Sequence, residues 1–377
     1  MTAVEGAEAQ LIETVCRRVA DAEGDPTELV TAELQRLAPL CSAAQRNELR
    51  NRAVAQLIGL GELDEFLRDR EVDDVLVTNG TDVWVDRRGA LQRVASLPPG
   101  RAEQLVDRAI APLGRRLDRS SPIVDARLPS GARLCAVLPP LAVDGMAVAI
   151  RKQRDRVLPL SAFTDAVGVQ VLEELVDRRC NTVISGATST GKTTLLAALL
   201  ARCGDRERLV VVEDTAELAL QHPHLVRLEG RPPTVDGPPP IDLAALVRTA
   251  LRLRPDRIVV GEVRGDESVA FVQAMNTGHD GSCSTCHANG PLDALLRLES
   301  LVLQAAPTWP LAAIRAQLAR SVDVIVHVDR VGDRRRVRSI AEVVATSDGG
   351  APQVRALAER NHDGLRRCGE LTRGRST

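Results

Sequence analysis

The chain has 377 residues, of which 44% are hydrophobic and 27% are charged, and its formal net charge is −2. This length allows two or three domains, and the composition is that of a folded protein rather than a disordered one. The near-neutral charge excludes a global positive field that would attract nucleic acid or anionic lipid. Aromatic residues make up only 1% of the chain, so stacking platforms for single-stranded bases are almost absent.

The amino terminus, MTAVEGAEAQ, has neither the basic start nor the apolar core of a secretory signal. No window approaches the roughly 18 consecutive apolar residues that a membrane span needs. Eight cysteines are scattered along the chain, which favours reduced thiols over a disulfide framework. We therefore expect a cytoplasmic protein.

The first 150 residues change from helical to strand periodicity. Residues 1–60 carry apolar side chains at helical spacing and predict a helical amino-terminal region. Short strand patterns follow at 74–77 and 82–85, and Asn79-Gly80 between them is a hairpin signal. Residues 61–150 are thus predicted to form an α+β domain, and the charged stretch 151–164 is predicted to be a linker.

The pattern over 165–350 alternates strand and helix, as in an α/β domain with a parallel sheet. Strands are predicted over 181–185, 209–212 and 257–260, and helices over 193–200 and 243–253. The basic segment GDRRRVR, residues 332–338, is predicted to turn between two strands. The tail, 351–377, lacks clear periodicity, which is compatible with disorder.

Residues 186–193 read GATSTGKT, a complete Walker A motif between a predicted strand and a predicted helix. The two glycines let backbone N–H groups turn inward around phosphates, and the helix amino terminus adds its positive end. The lysine reaches the β- and γ-phosphate oxygens, and the threonine hydroxyl binds Mg²⁺. The predicted ligands are ATP and Mg²⁺, and the predicted nucleotide-binding residues are Gly186, Ala187, Thr188, Ser189, Thr190, Gly191, Lys192, Thr193 and Thr194.

Hydrolysis needs carboxylates at the carboxyl ends of strands that neighbour the phosphate loop. The strand at 209–212 is followed by Glu213, and the strand at 257–260 is followed by Glu262 after one glycine. A single acid in such a place is usually only solvated. Two of them beside a Walker A motif predict a role in binding Mg²⁺ or its waters and in polarising the attacking water.

The segment TGHDGSCSTCHAN, residues 277–289, contains C-x-x-C-H, the pattern of covalent haem attachment. Haem attachment needs an oxidising compartment, which the cysteine usage opposes. A zinc site made by His279, Cys283, Cys286 and His287 is compatible with the spacing. The favoured interpretation assigns the two histidines to the nucleotide.

Four segments in order, GATSTGKTT, VVEDTAEL, LRLRPDRIVVGEVRG and TGHDGSCSTCHAN, resemble the Walker A, Asp box, Walker B and His box of the secretion and pilus ATPases. The resemblance covers roughly residues 55–345, and within the type II and type IV secretion ATPases it is to the tight-adherence branch. Cys283 and Cys286 depart from it, since small or apolar residues are expected there.

The resemblance implies a PAS-like amino-terminal domain and a RecA-like ATPase domain. It implies that Glu213 and Glu262 serve the metal and the water, and that His279 and His287 contact the γ-phosphate region. It further implies a homo-hexamer at the cytoplasmic face of the inner membrane, with membrane platform proteins as partners. Arginines would be supplied across domains or subunits, and the candidates are Arg133, Arg151, Arg252 and Arg254.

Two other function classes stay open at this point. A RecA-like motor on nucleic acid shares the core chemistry, although the neutral charge and the scarcity of aromatics weigh against strand binding. A nucleotide-gated scaffold would bind ATP without turnover. The hypothesis favoured by the motifs is an ATP-hydrolysing motor for pilus assembly, protein secretion or conjugal transfer.

Overall fold

The computed structural model describes residues 3–19, 22, 24–87, 89–152, 157–231, 239–331, 334–345 and 350–374. The chain divides into two compact units, Met1–Gln153 and Arg154–Thr377. The division falls inside the predicted linker 151–164, of which residues 153–156 lie outside the described part of the chain.

The first unit begins with three helices: α1 (Ala3–Val19), α2 (Pro26–Leu37) and α3 (Ala43–Ile58). Local side-chain caps fix where the second and third begin. The Asp25 carboxylate accepts hydrogen bonds from the first turn of α2, and Ser42 forms a reciprocal capping box with Gln45 at α3. Val15, Val30 and Ala53 are fully buried where the three helices pack together.

In the described chain a six-stranded antiparallel sheet follows, in the order β3-β2-β1-β6-β5-β4. Asn79 and Gly80 adopt positive φ angles of 58° and 72° in the β1–β2 turn, as the hairpin signal predicts. One sheet face and the apolar side of α5 share a core that includes Val75, Val85 and Leu105. The elements are α4 (Asp64–Arg68), β1 (Val72–Thr78), β2 (Asp82–Arg87), β3 (Ala90–Ser96), α5 (Arg101–Ile110), β4 (Ile123–Arg127), β5 (Arg133–Val137) and β6 (Ala147–Arg151).

The second unit has a sheet of nine described strands, in the order β15-β14-β13-β12-β7-β11-β10-β8-β9. Strands β7 to β12 are parallel, and β13 to β15 extend the sheet antiparallel. The elements are α6 (Ala166–Asp177), β7 (Thr182–Gly186), α7 (Lys192–Leu200), β8 (Leu209–Glu213), β9 (Leu225–Glu229), α8 (Leu243–Ala250), β10 (Arg257–Val260), α9 (Glu267–Asn276), β11 (Cys283–His287), α10 (Pro291–Ala305), α11 (Leu311–Ser321), β12 (Val324–Val331), β13 (Arg334–Val344), β14 (Gln353–Arg360) and β15 (Leu365–Arg367).

The central strands are buried on both faces, as expected for a parallel sheet covered by helices. Ile184 of β7 packs with α6 and α7, whereas its neighbour Val183 packs with α8, α9, α10 and α11. Within the described residues, no helix combines the length and apolar character that a membrane crossing requires.

The described part of the tail, residues 351–374, is not disordered and contains two strands. Here β14 pairs with β13, and β15 pairs with β14. Leu357 and Leu365 are buried in the core beside α6. The buried carboxylate of Glu342 in β13 accepts hydrogen bonds from the backbone of Thr372 and Arg373, which fastens the end of the segment to the sheet. Arginines interrupt the apolar pattern of these short strands, so the sequence does not predict them. Pairing of β14 with β13 stabilises the segment.

Candidate nucleotide site

The Walker A loop connects the end of β7 to the start of α7. Gly191 caps the helix with a φ of 92°, a conformation that favours glycine. Residues 187–189 are exposed, Thr190 is buried and donates to the carbonyl of Ala187, and Thr193 and Thr194 are half-buried in the first turn of α7. A Cβ at Gly186 would collide with the carbonyl oxygen of Val328 on β12. The loop is therefore held closely by the neighbouring strand.

Parallel pairing brings three of the predicted catalytic groups, those of His287, Glu213 and Glu262, to the edge of the sheet where this loop lies. His287 of β11 pairs with Gly186, the last residue of β7. Glu213 ends β8, whose neighbour β10 is followed by Gly261 and Glu262. The carboxyl ends of parallel strands form the ligand-binding edge of an open α/β sheet.

Lys192, His287 and Glu262 form one hydrogen-bonded chain at this edge. The Lys192 ammonium donates to the carbonyls of Gly186 and Ala187 at 3.0 and 2.8 Å, and lies 3.3 Å from His287 Nδ1. His287 Nε2 lies 2.8 Å from Glu262 Oε1. Burial lowers the pKa of Lys192, opposed by the Glu262 charge. The sequence pattern alone does not predict this direct link between the three side chains.

Glu213 is in a different electrostatic environment from Glu262. It is 5% exposed, and burial raises the pKa of its carboxyl to about 7 from an ordinary value of 4.5. Oε1 accepts hydrogen bonds from the backbone N–H groups of Glu217 and Leu218, whereas Oε2 has no hydrogen-bond partner among the described residues. An orphaned carboxylate oxygen at the phosphate edge fits a role toward a cation or its water.

Together these residues fit ATP with Mg²⁺. Lys192 and the amino end of α7 suit the phosphates. Mg²⁺ held through phosphates needs only one or two protein oxygens. Thr193, Glu213 and Glu262 offer a hydroxyl and carboxylates in the same region.

The prediction was that both histidines contact the γ-phosphate region, but the structure does not bring His279 to the Walker A loop of its own chain. His279 precedes β11, which begins at Cys283 opposite Thr182, the first residue of β7. It therefore lies at the amino edge of the sheet, separated from the loop by a strand of five residues, roughly 13–17 Å. Its Nδ1 is 3.1 Å from the carbonyl of Ala274. The two histidines belong to one sequence box, the His box, but His279 precedes β11 and His287 ends it.

Cys283 and Cys286 pack on opposite faces of the sheet, Cys283 with α6 and α7 and Cys286 with α8 to α10. Burial raises the pKa of each thiol to about 11, so neither is a thiolate near neutral pH. Among the described residues, no group of three or more His, Cys, Asp and Glu side chains is arranged to hold a metal ion by itself. This geometry disfavours the zinc alternative, because one ion cannot bind thiols on both faces.

Two candidate arginines of the second unit, Arg252 and Arg254, are exposed and precede β10. They lie at the amino edge, away from the phosphate loop of their own chain. Arg254 has a φ of 53° directly after the helical turn Leu251–Leu253.

The candidates of the first unit, Arg133 and Arg151, lie opposite each other on β5 and β6. Arg127 pairs with Arg133 on the other side, so three arginines form one row across the sheet. Laterally paired residues share a face. Arg133 is 2.8 Å from Asp125, and Arg151 is 2.9 Å from Asp74. The row is a cationic surface with acidic neighbours, a feature that the linear sequence does not reveal.

His327 also lies at this site, although no sequence motif marks it. This residue of β12 pairs with Ser185, and its Nδ1 is 3.0 Å from the Ser185 hydroxyl. Burial lowers its pKa. The bond joins the end of β7 to β12 beneath the loop. Its only sequence signal is a histidine within the apolar run 324–328.

Residues 56–376 match the family described as Type II/IV secretion system protein, and the chain belongs to that family. The family places it among the proteins of type II and type IV secretion systems.

Curated relatives cover most of the chain. It is 42% identical over 301 residues to a putative conjugal transfer protein of Mycobacterium tuberculosis, covering 76% of this chain and 85% of the relative. It is 33% identical over 287 residues to the conjugal transfer protein TrbB of Rhizobium radiobacter, covering 74% and 85%. It is 31% identical over 318 residues to the type IV secretion system protein PtlH of Bordetella pertussis, covering 74% and 93%.

Solved structures share the fold. The pilus retraction motor PilT, solved with ADP, has a TM-score of 0.56 at 21% identity, covering 77% of this chain and 84% of that one. The ATPase DotB of Legionella pneumophila has a TM-score of 0.51 at 19% identity, covering 78% and 79%. These neighbours agree with the predicted α/β class.

Proposed function

We propose that this chain hydrolyses ATP in the presence of Mg²⁺ at the Walker A loop, and that the hydrolysis drives a conjugal transfer or type IV secretion machine. The observation that carries the proposal is the chain of contacts from Lys192 through His287 to Glu262. In this chain of contacts the imidazole of His287 connects Lys192, the predicted phosphate-binding cation, to Glu262, a carboxylate predicted to activate water.

The chain's own groups have distinct tasks in this proposal. Lys192 exchanges its contacts with the loop carbonyls for phosphate oxygens. His287 then remains as a hydrogen-bonding group between the phosphate side and Glu262, which accepts a proton from the attacking water. Glu213 and Thr193 would hold Mg²⁺ directly or through water. Bound Mg²⁺ would neutralise charge that develops on the phosphates.

The relatives favour conjugal transfer or type IV secretion as the process that is driven. The relatives from Mycobacterium tuberculosis and Rhizobium radiobacter are named as conjugal transfer proteins, and the one from Bordetella pertussis is named for type IV secretion. The similarity to the tight-adherence branch rests on the four boxes in the sequence, and that branch remains a prediction. Gene neighbourhood distinguishes it from a conjugation system, because pilin genes would accompany the former.

We further propose a homo-hexamer that works at the cytoplasmic face of the inner membrane with platform proteins of the machine. The arginine row of Arg127, Arg133 and Arg151 supports this, because a phosphate between subunits would be matched by clustered guanidinium groups. The candidates Arg252 and Arg254 stay in the proposal only as residues supplied in trans.

Phosphate release by the full chain with Mg²⁺ and ATP tests the function. We expect turnover in the native chain and its loss in Lys192→Ala. Nucleotide binding without phosphate release would favour the gated scaffold. Stimulation of turnover by single-stranded or duplex DNA would favour the nucleic-acid motor. Unchanged turnover in Lys192→Ala would contradict the site.

A further inference from the structure

The hairpin of β12 and β13 extends beyond the strand that carries the Walker A loop. β12 pairs with β7 from Val324 to His327, whereas its pairing with β13 continues over 328–331 opposite 334–337. β7 ends at Gly186 and turns into the loop at the same level. The outer part of the hairpin therefore lies beside the loop, consistent with the close approach of the Val328 carbonyl to Gly186.

Arg335 is the hairpin residue that packs against the loop. Its Cδ lies 2.7 Å and its Nε 3.5 Å from the position that a Cβ on Gly191 would occupy. Gly191 thus provides the space for the arginine stem. The guanidinium group begins within about one contact distance of the residue that caps α7.

Strand alternation anchors this placement. Arg335 lies two residues before Val337, so both side chains point to the same face. Val337 is fully buried in the core that also contains Leu195 and Leu196 of α7. Arg335 lies on the same face of β13 as Val337, next to the start of α7. Arg334, one residue earlier, is exposed and points to the other face.

The charge of Arg335 suits an anion at this place. A cation at the amino end of a helix opposes the helix dipole, whereas an anion there is favoured by the dipole. A phosphate between Arg335 and the first turn of α7 would be attracted both by the guanidinium and by the amino end of the helix. Arg335 is half-buried, which reduces screening by solvent.

The position of the hairpin indicates which phosphate it contacts. β7 lies between β11 and β12. His287 and Glu262 are on the β11 side, so the reacting γ-phosphate belongs there. The non-reacting end of the nucleotide extends away from those groups, and Arg335 approaches the loop from the opposite, β12 side.

We propose that Arg335 is a nucleotide-binding residue of this site that contacts the α-phosphate of a nucleoside di- or triphosphate. This rests on the proposed function, since it assumes that the Walker A loop binds nucleotide. A contact to the α-phosphate is made equally with ATP and ADP, so it contributes to binding of both and adds little that is specific to the transition state.

Isothermal titration of the full chain with Mg²⁺-ADP and with a non-hydrolysable Mg²⁺-ATP analogue tests this, using Arg335→Gln and Arg334→Gln. Glutamine keeps the Cβ and Cγ methylenes of the stem near Gly191 and removes the charge. We expect Arg335→Gln to weaken both nucleotides about tenfold, as for the loss of a charge-assisted hydrogen bond. Arg334→Gln, the matched control on the same hairpin, changes both affinities less than twofold. In turnover assays the KM for ATP rises more than kcat falls in Arg335→Gln.

Equal affinities of the two variants for ADP would overturn the inference, as would an Arg335→Gln defect confined to the triphosphate. Arg335→Lys is the second variant: it retains the charge and keeps more affinity than Arg335→Gln if the contact is electrostatic. Failure of the native chain to bind either nucleotide would instead contradict the proposed function. Loss of binding in Lys192→Ala with native affinity in Arg335→Gln would contradict only the inference.

Discussion

Glu262 and His287 are joined by a hydrogen bond of 2.8 Å between Oε1 and Nε2. The other ring nitrogen of His287 is 3.3 Å from the Lys192 ammonium, so one imidazole contacts both a cation and an anion. A neutral ring with its proton on Nε2 satisfies both contacts, since it donates to the carboxylate and accepts from the ammonium. The geometry therefore assigns the tautomer and connects phosphate binding with the carboxylate proposed to activate water.

The two histidines of the His box are predicted to behave differently when mutated. His287→Ala removes the connection between Lys192 and Glu262, and we expect kcat to fall about tenfold or more, on the order of the loss of one hydrogen bond to a charged group. His279→Ala is the matched control, because its ring contacts the Ala274 carbonyl at the opposite edge of the sheet. Steady-state phosphate release measures both. Similar losses in the two variants, with intact folding, would contradict the geometry.

Glu213 is predicted to make stability depend on pH. Its pKa is about 7 in the fold against an ordinary value of 4.5, so the folded chain binds this proton more tightly. The stabilisation is fully present below about pH 4.5 and is lost as the pH rises through 7. Glu213→Gln removes this dependence. The free energy of unfolding of the variant minus that of the native chain should therefore increase by about 1–3 kcal/mol as the pH rises from 5 to 8.

Urea unfolding without nucleotide or Mg²⁺ at several pH values measures this difference. Glu359→Gln is the control, since Glu359 is an exposed carboxylate on β14 of the same unit. Parallel stability curves for the native chain and Glu213→Gln across this range would exclude a raised pKa at Glu213.

The proposed homo-hexamer makes a prediction for assemblies that contain two different variants. Arg151→Ala keeps the phosphate loop and lacks one arginine of the row, whereas Lys192→Ala keeps the row and lacks the loop lysine. If the arginine acts across subunits, mixing the two inactive variants restores part of the turnover, because some sites then combine an intact loop with an intact arginine.

Arg93→Ala mixed with Lys192→Ala is the control for this experiment, since Arg93 pairs with Asp82 on the same sheet but outside the row. Arg93→Ala alone should be active, and mixing should only dilute it. No recovery at any ratio of Arg151→Ala to Lys192→Ala, with assembly confirmed by sedimentation, would exclude Arg151 as a residue supplied in trans.

The sequence predicted the parts of the fold whose signal is local. The Walker A loop, the Asn79-Gly80 turn and the buried strands around Val183 and Val259 were all predictable from short patterns. The carboxyl-edge location of Glu213 and Glu262 followed from the general geometry of parallel sheets.

What was missed depends on pairing between distant segments. His279 and His287 are close in sequence, but a five-residue strand separates them. The row of Arg127, Arg133 and Arg151 exists only through strand register. The contact of Arg335 with Gly191 joins residues 144 positions apart, and the tail strands form by pairing of β14 with β13 and of β15 with β14. Periodicity and motif spacing carry no information on such contacts.

Phosphate release by Glu262→Gln, measured together with its affinity for ATP, is the decisive test of the proposed hydrolysis. Glutamine keeps the size of the side chain and can still hydrogen-bond to His287, but it is no longer an anionic base. We predict that the variant binds Mg²⁺-ATP within a few-fold of the native affinity and that its kcat falls at least a hundredfold. Native turnover in Glu262→Gln would contradict the assignment of Glu262 as the water-activating carboxylate, all the more so if Glu213→Gln were inactive.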